Sequence, residues 1–139
     1  MSTWKFLGKE LTVEDLEGYK SFVYKITYLP TGKAYIGKKT TISTSRKKVK
    51  GRTNRKIVKK PSNWMSYWGS NQNLLDDIKK YGHENFSRDV LKLCKTKGDA
   101  SYTEAYFQFT EGVLLYPDKY YNQHIMVHVH GKHLSKEST

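Results

Sequence analysis

Residues 22–37, FVYKITYLPTGKAYIG, constrain the fold more than any other stretch of the chain. Aromatic and β-branched side chains dominate residues 22–28, and this composition predicts a strand. Pro30 and Gly32 follow and favour a turn, because they supply the backbone angles that a chain reversal requires. Residues 34–37 then return as a second strand. The stretch is therefore predicted to form a β-hairpin with one tyrosine on each arm.

A strongly basic segment follows the hairpin. Residues 38–60 contain eleven Lys or Arg residues, no acid and few apolar side chains. The segment is expected to be partly helical, but repulsion between neighbouring like charges is expected to leave it poorly ordered on its own. It is either a solvated, flexible loop or an arm that binds phosphates, and the lack of a compensating acid favours the arm. The residues predicted to contact nucleic acid are Lys38, Lys39, Lys47, Lys48, Lys50, Arg52, Arg55 and Lys56.

The charge of the whole chain favours a polyanionic partner. The 139 residues carry a net charge of +12, which favours nucleic acid and, as a distant second, an anionic membrane surface. Membrane anchoring is not expected, because the sequence shows no long apolar run, signal peptide or lipidation motif. The single cysteine, Cys94, excludes an internal disulfide and suits a reducing cytoplasm. It is predicted to be a buried structural thiol rather than a nucleophile.

Two helices are predicted after the basic segment. The first is expected over residues 71–82, with Ser70 as its N-cap and an apolar face at helical spacing. The second is expected over residues 101–115, opened by Asp99 or Ser101. Its apolar face is predicted to consist of Tyr102, Ala105, Tyr106, Phe109 and Val113.

Shorter elements complete the prediction. Residues 12–19 predict a short helix with Thr12 as N-cap, and the alternation over residues 123–131 predicts a final strand. The aromatic cluster of residues 61–70, PSNWMSYWGS, either docks the basic segment on the core or stacks on bases, and adjacent large aromatic residues favour docking. A third strand is expected over residues 86–94. Together these elements predict an α/β fold in which a small mixed sheet, the β-hairpin plus a third strand, is flanked by helices.

Five sequence landmarks occur in order along the chain. VYKI lies on one arm of the hairpin and YIGKK on the other, IKKYGHENF precedes the third strand, YTEAYFQF lies on a helix, and YYN follows. This series resembles the GIY-YIG nuclease domain over residues 21–122, although Phe22 stands where the family has its first glycine. The long basic insert before W..Y.GS is similar to stand-alone phage nucleases of the homing-endonuclease type. The resemblance implies a single GIY-YIG-like nuclease domain, residues 1–139, with the basic insert at about 38–60 and a short C-terminal extension.

The resemblance implies metal-dependent hydrolysis of phosphodiester bonds in double-stranded DNA with one divalent ion, Mg²⁺ or Mn²⁺. By this analogy Glu104 is the metal ligand, since Mg²⁺ is held by one or two carboxylates, waters and substrate oxygens. In isolation it would be an ordinary helix glutamate. Tyr24 and Tyr35 position or deprotonate the attacking water in the family, and their alternative is a pair of core tyrosines. A tyrosine base needs a lowered pKa, and Lys38 and Lys39 are expected to supply the charge that lowers it.

The resemblance also implies roles for an arginine, an asparagine and a glycine. An arginine after YIG is expected to stabilise charge on the phosphate. Arg46 lies nearest to the expected spacing, and Arg52 and Arg55 compete with it. Asn122 in YYN matches the family's late asparagine, which orders the site, and its alternative role is turn capping. Gly37 is expected to let a phosphate approach the backbone closely.

Two other classes of function compete with a DNA endonuclease. A non-catalytic nucleic-acid-binding protein would keep the fold, and Phe22 in the first motif favours it, whereas the matching tyrosines, glutamate and asparagine oppose it. A basic structural or ribosome-associated protein explains the charge but not the ordered landmarks. His128 and His130 suggest a zinc site, but no cysteine lies nearby, which favours solvent-facing or DNA-facing imidazoles. An endonuclease of this kind is expected in the cytoplasm of a bacterial host, as a monomer or homodimer.

Overall fold

The computed structural model describes residues 3–47, 50–51 and 56–135 of the chain. In chain order the strands and helices are β1 (Trp4–Phe6), β2 (Lys9–Glu10), β3 (Ser21–Tyr28), β4 (Ala34–Thr40), β5 (Ile42–Lys47), β6 (Lys56–Pro61), α1 (Gln72–Tyr81), β7 (Phe86–Cys94) and α2 (Lys97–Thr110). Single turns of 3-10 helix occur at Glu14–Leu16, Trp64–Ser66, His83–Asn85 and Gly131–His133.

Five of the strands form one mixed sheet in the spatial order β2-β1-β7-β3-β4. β1 runs parallel to β7, and the other neighbouring strands are antiparallel. The predicted hairpin is β3–β4, and the predicted third strand is β7. The predicted fold class is therefore confirmed. β1 and β2 add two strands that the sequence patterns do not predict, because they are only three and two residues long.

Helices cover both faces of the sheet, and each face has its own core. One core contains Leu74 and Ile78 of α1 together with Phe22 of β3. The other contains Ala100 of α2 together with Val23 of β3. Consecutive strand residues point to opposite faces, so Phe22 and Val23 serve different cores. Phe22 is fully buried. The phenylalanine that stands where the family has its first glycine therefore fills space in the core.

The aromatic cluster before α1 docks on the first core, as the sequence predicts. Trp64 is buried, and its carbonyl accepts a hydrogen bond from Trp4 Nε1 at 2.6 Å. Arg88 of β7 is also buried, and its Nη1 donates to the carbonyls of Met65 and Tyr67 at 3.0 and 2.8 Å. These bonds fix the segment that precedes α1 against the sheet.

The basic segment forms a second, two-stranded antiparallel sheet, which we call the basic arm (β5 and β6). Its ladder runs from the pair Ile42–Pro61 to the pair Lys47–Lys56. The prediction of a partly helical segment is wrong, because β5 begins with β-branched and hydroxyl residues, ISTS, which favour an extended backbone. Strand pairing also avoids placing many basic side chains on neighbouring turns of one helix.

The two long helices begin at other residues than predicted. α1 is capped by Asn71 rather than Ser70, and the Asn71 Oδ1 accepts from a backbone N–H of the first turn at 3.0 Å. α2 begins at Lys97, before the predicted start, because Thr96 Oγ1 accepts from the Asp99 N–H at 2.9 Å. Short polar side chains compete for the cap along both sequences, and pattern alone does not rank them.

Two predicted elements are not formed. Residues 12–19 contain a single 3-10 turn, Glu14–Leu16, and Gly18 follows in the left-handed region at φ +84°. Residues 123–130, all of which are described, contain no strand. The edge of β4 that such a strand would join is already occupied by residues 119–122.

The predicted apolar face of α2 is also wrong in part. Ala105 and Val113 are buried as predicted, whereas the three aromatic residues of that face are exposed: Tyr102, Tyr106 and Phe109. The side chains that α2 buries include polar ones, Asp99, Thr103 and Gln108. The inward face of the helix is therefore partly polar, and Gln108 of this face lines the cavity described next.

Candidate active site

The two motif tyrosines lie on the same face of the β3–β4 hairpin. Tyr24 is opposite Gly37 and Tyr35 is opposite Ile26, and this register places both phenols on one side of the sheet. Their ring centroids are 6.2 Å apart. Tyr24 is only 1 % exposed, whereas Tyr35 is half-buried and lines an open cavity. Tyr35 therefore faces the solvent-accessible site, and Tyr24 lies behind it.

Gly37 makes room for the Tyr24 phenol. A side-chain carbon at Gly37 would lie 2.5 Å from the Tyr24 hydroxyl oxygen, closer than any real contact of that kind. The glycine of YIG is thus required by packing inside the hairpin. The expected approach of a phosphate to this backbone has no support in the structure, since the phenol occupies the space.

A third phenol, Tyr67, completes the cluster. Its ring packs edge-on against Tyr24, with the two ring centroids 6.0 Å apart. The ammonium of Lys39 lies 4.2 Å from the Tyr67 ring centroid, a cation–π contact. Lys39 therefore contacts Tyr67, a residue that the sequence analysis does not single out.

The pKa values of both motif tyrosines are raised. For Tyr24 burial is the main cause, followed by the neighbouring phenols, and its pKa lies well above the ordinary value. Burial also raises the pKa of Tyr35, although a hydrogen bond to Ser70 opposes the shift. The expectation that Lys38 and Lys39 lower these pKa values is therefore wrong. Both phenols stay protonated at neutral pH in the free protein.

Three of the predicted site residues line one cavity of about 260 Å³ at the edge of the sheet. Tyr35 comes from β4, Glu104 from the middle of α2, and Asn122 from the segment beside β4. Ser70 and Gln108 line the same cavity. Because β4 is an edge strand, side chains from both sides of the sheet meet there, and the cavity is open to a large substrate.

Asn122 and Gln108 hold the middle residue of YIG from two sides. The Asn122 Oδ1 accepts from the Ile36 N–H at 3.1 Å, and its Nδ2 donates to the Ile36 carbonyl at 2.9 Å. The Gln108 Nε2 donates to the same carbonyl at 3.0 Å. Asn122 thus takes the place of a neighbouring strand at this point. Its side chain thereby orders β4 at Ile36.

The Glu104 carboxyl is partly shielded from solvent, and the positive charge of Lys38 partly offsets its negative charge. Burial raises the pKa of its carboxyl, and the charge of Lys38 lowers it in part. The Lys38 Nζ donates to the Ser101 hydroxyl at 2.6 Å, which keeps the ammonium near the start of α2. A carboxylate that costs stability when buried and lines an open cavity is a candidate for binding a cation.

The donors around Glu104 suit a hard divalent cation better than zinc. The cavity offers one carboxylate, hydroxyls and amide oxygens, which are ligands for Mg²⁺ or Mn²⁺, and its lining also includes the imidazole of His124 and the thioether of Met126. Among the described residues no group of three or more His, Cys, Asp or Glu side chains is placed to hold a metal. The zinc site suggested by His128 and His130 is therefore not formed there.

The basic residues predicted to contact nucleic acid are distributed over β4 and the basic arm. Lys38 and Lys39 lie in β4, near Ser101 and Tyr67. The backbones of Arg46, Lys47 and Lys56 lie in the arm, and their side chains are outside the described part of the chain. Lys50 is exposed. Lys48, Arg52 and Arg55 lie outside the described residues.

Sequence reasoning misses Tyr67, Ser70 and Gln108. Gln108 follows Glu104 by one helical turn, so the i, i+4 spacing could have placed both on one face. Tyr67 and Ser70 belong to the W..Y.GS landmark, and their closeness to the hairpin tyrosines depends on the tertiary fold.

Two other sequence-based expectations concern Cys94 and the membrane. Cys94 is buried, and burial raises the pKa of its thiol to about 11, which agrees with an inert structural cysteine. No helix in the described part of the chain has the length and apolarity needed to cross a bilayer.

Comparison with known proteins agrees with this geometry. The family described as "Putative endonuclease segE, GIY-YIG domain" matches residues 4–125, most of the chain. A phage protein, "Putative endonuclease segE" of Enterobacteria phage T4, is 37% identical over 79 residues, which make up 57% of this chain and 29% of that protein. The match thus spans less than a third of the relative's length. No solved structure matches the chain significantly. Because the family model covers most of the chain, the chain belongs to the segE GIY-YIG domain family.

Proposed function

We propose that this chain is a metal-dependent DNA endonuclease that hydrolyses phosphodiester bonds, of the stand-alone phage homing type. The proposal rests on one observation above all. Glu104, Tyr35 and Asn122, which come from separate parts of the sequence, line a single open cavity at the sheet edge. The family match and the name of the T4 relative support the same activity. The cytoplasm of an infected bacterium is the compartment where such a protein meets DNA.

Glu104 is the residue that we assign to metal binding. A Mg²⁺ or Mn²⁺ ion held there would act as a Lewis acid on the phosphate oxygens. Glu104 contributes the negative charge, and the charge of Lys38 favours the ionised carboxylate because it partly offsets the effect of burial on the Glu104 pKa. Because the cavity contains one carboxylate, the substrate's own phosphate oxygens are expected to complete the coordination.

Tyr35 is the residue that we assign to positioning the attacking water. Its raised pKa keeps the phenol protonated, so it acts as a hydrogen-bonding group rather than as a base. Ser70 lines the cavity beside it. Tyr24 is buried behind it and contacts no solvent-exposed part of the cavity, so we assign it a positioning role through packing against Gly37 and Tyr67.

The remaining groups hold the substrate and the strand. Asn122 orders β4 through its two bonds to Ile36. Arg46 on the basic arm is the candidate for stabilising charge on the phosphate, and the basic arm supplies the cations that bind double-stranded DNA. One site of this kind cuts one strand, so a double-strand break requires a homodimer or two successive nicks by a monomer.

Plasmid cleavage tests this proposal. Supercoiled plasmid is incubated with the protein in Mg²⁺, in Mn²⁺ or in EDTA, beside the variant Glu104→Ala. We expect nicked or linear product only with the metal and the unchanged protein, and a retained gel shift of DNA by the variant. The ratio of nicked to linear product reports whether one strand or both are cut.

The matched control is Glu111→Ala, which removes an exposed carboxylate at the C-terminal end of α2. This variant should cleave like the unchanged protein, because Glu111 lies outside the cavity. Full cleavage by Glu104→Ala would contradict the assignment of the metal ligand. DNA binding without cleavage by the unchanged protein would favour the alternative function, a non-catalytic nucleic-acid-binding protein.

A further inference from the structure

A second concave surface, which we call the C-terminal groove, lies between the start of α2 and the last described turn. It has a volume of about 620 Å³. The basic side chains that line it are Lys20, Lys97, His128, Lys132 and His133. No Asp or Glu is among the described residues of its lining. None of these five residues belongs to the catalytic cavity or to the basic arm.

The wall of the groove is fixed by contacts between α2 and the C-terminal segment. The Thr96 hydroxyl donates to the His133 carbonyl at 3.0 Å, and the buried carboxylate of Asp99 accepts from the Ser135 N–H at 2.8 Å. A side-chain carbon at Gly98 would lie 2.6 Å from the His133 carbonyl oxygen. The absence of a side chain at Gly98 therefore permits the close packing that brings the basic residues of the turn next to those of the helix.

The groove is continuous with the two regions assigned to DNA. Ile42, the first residue of the basic arm, forms one side of it. Ser101 forms another side and accepts the hydrogen bond from Lys38. The positive charge of Lys38 in turn lowers the pKa of the Glu104 carboxyl. The groove is therefore joined to the base of the arm through Ile42, and to Glu104 of the catalytic cavity through Ser101 and Lys38.

We propose that the C-terminal groove binds the phosphodiester backbone of DNA beside the phosphate that is cut. The substrate would then be held by the basic arm on one side and by the C-terminal turn on the other. Three lysine ammonium groups supply charge, and the two imidazoles supply hydrogen-bond donors. This inference rests on the proposed function, and it gives the lysines and histidines of the groove a role in substrate binding.

The test measures DNA affinity against salt concentration in the full-length protein. The background is Glu104→Gln, so that the DNA is not consumed, and the probe is a fluorescently labelled duplex of about 30 base pairs. Lys20→Ala, Lys97→Ala and Lys132→Ala are combined. Because each phosphate contact contributes about 0.9 to the slope of log K against log salt, the slope should become shallower by about 2 to 3, and affinity should fall about 10-fold or more.

Two matched controls separate the groove from general charge attraction. Lys9→Ala, Lys79→Ala and Lys80→Ala remove the same charge from exposed positions on β2 and α1, away from the groove. Their slope should change by less than about 0.5. Replacing the three groove lysines with arginine keeps the charge and should preserve the slope.

Each outcome decides between the two proposals. Equal losses in both alanine sets, or an unchanged slope in the groove set, would overturn the groove proposal while leaving the endonuclease intact. A background protein that binds no DNA at all would overturn both. A selective loss in the groove set, with circular dichroism unchanged, supports it.

Discussion

The two sides of α2 differ in a way that residue hydrophobicity does not predict. The outward side carries Tyr102, Tyr106 and Phe109, and Phe109 is 64 % exposed. The inward side carries Thr103 and Gln108, and Gln108 is only 4 % exposed. A helix of a globular protein normally buries its aromatic residues and exposes its polar ones. In α2 part of this distribution is reversed.

α1 packs on the same sheet with the usual distribution of apolar and polar residues for a surface helix. Its periodic residues Leu74 and Ile78 are buried, as the pattern predicts, and its lysines are exposed. α1 packs on the face whose core is aromatic, and it reaches the cavity through its first residue, Gln72. α2 packs beside the edge strand β4 and contributes Glu104 and Gln108 to the cavity. The difference teaches that a helix that builds a site gives part of its inward face to polar groups.

The largest effect is expected when the inward carboxylate is neutralised by Glu104→Gln. Cleavage should fall by about a thousandfold or more, because the charge that binds the cation is lost. The free energy of unfolding, in contrast, should rise in this variant at neutral pH. The folded pKa is raised, so burying the carboxylate costs stability at neutral pH, and this cost disappears as pH falls below the unfolded pKa.

The measurement is thermal unfolding of both proteins at several pH values. The variant should melt about 1 to 2 °C higher near pH 8, and the difference should vanish near pH 4. A variant that melts lower than the unchanged protein at pH 8 would show that the carboxylate stabilises the fold. Glu104 would then be an ordinary structural glutamate.

The second-largest effect is expected from a change at Asn122, which hydrogen-bonds to the same Ile36 carbonyl as Gln108. Asn122→Ala removes two hydrogen bonds to the buried backbone of Ile36, and the N–H loses its side-chain acceptor. The free energy of unfolding should fall by about 2 to 3 kcal/mol. Urea unfolding measures this change. Asn63→Ala, at an exposed asparagine that makes no side-chain cap, is the control and should stay within about 0.5 kcal/mol. Equal values for the two variants would refute the role of Asn122 in ordering β4.

A smaller effect is expected from Gln108→Leu. The Ile36 carbonyl keeps its bond from Asn122, and the Gln108 Oε1 is buried without a partner among the described residues. Removing the amide should therefore cost about 1 kcal/mol or less. Combined with Asn122→Ala it should cost at least about 0.5 kcal/mol more than the sum, because the carbonyl then loses both side-chain donors. Strict additivity in urea unfolding would show that the two amides act independently.

Elements with strong local signals are predictable from the sequence. The β3–β4 hairpin, α1 and β7 follow from turn residues and periodicity, which act between close neighbours. β1 is different, because its parallel partner β7 lies more than eighty residues away. The expected strand over residues 123–131 fails for the same reason. Alternation describes a strand's faces but does not say whether a sheet edge is free to accept it.

The site is predictable only as far as the ordered motifs reach. Tyr35, Glu104 and Asn122 are named by the family resemblance, and the cavity brings them together. Glu104 alone resembles any helix glutamate, and the bonds between Asn122 and Ile36 join residues 86 positions apart. The raised pKa of Tyr35 depends on burial in the tertiary fold. The pKa values of the site residues therefore could not be predicted from residue types alone.

The smallest effect is expected on the outward side of α2, and a matched pair of phenylalanines tests it. Phe109 is exposed, whereas Phe107 on the same helix is half-buried against the second core. Phe109→Ser should change the free energy of unfolding by less than about 0.5 kcal/mol and leave cleavage unchanged. Phe107→Ser should cost about 2 to 3 kcal/mol, because it leaves a cavity. Helix propensity is lost equally in both variants, so the difference between them isolates burial. If Phe109→Ser lowered the free energy of unfolding as much as Phe107→Ser does, and by the same amount at low and at high protein concentration, Phe109 would be packed against other residues of the chain. A loss at Phe109 that grows with protein concentration would instead mean that the outward side is covered by a second copy, and α2 would then bury both of its faces.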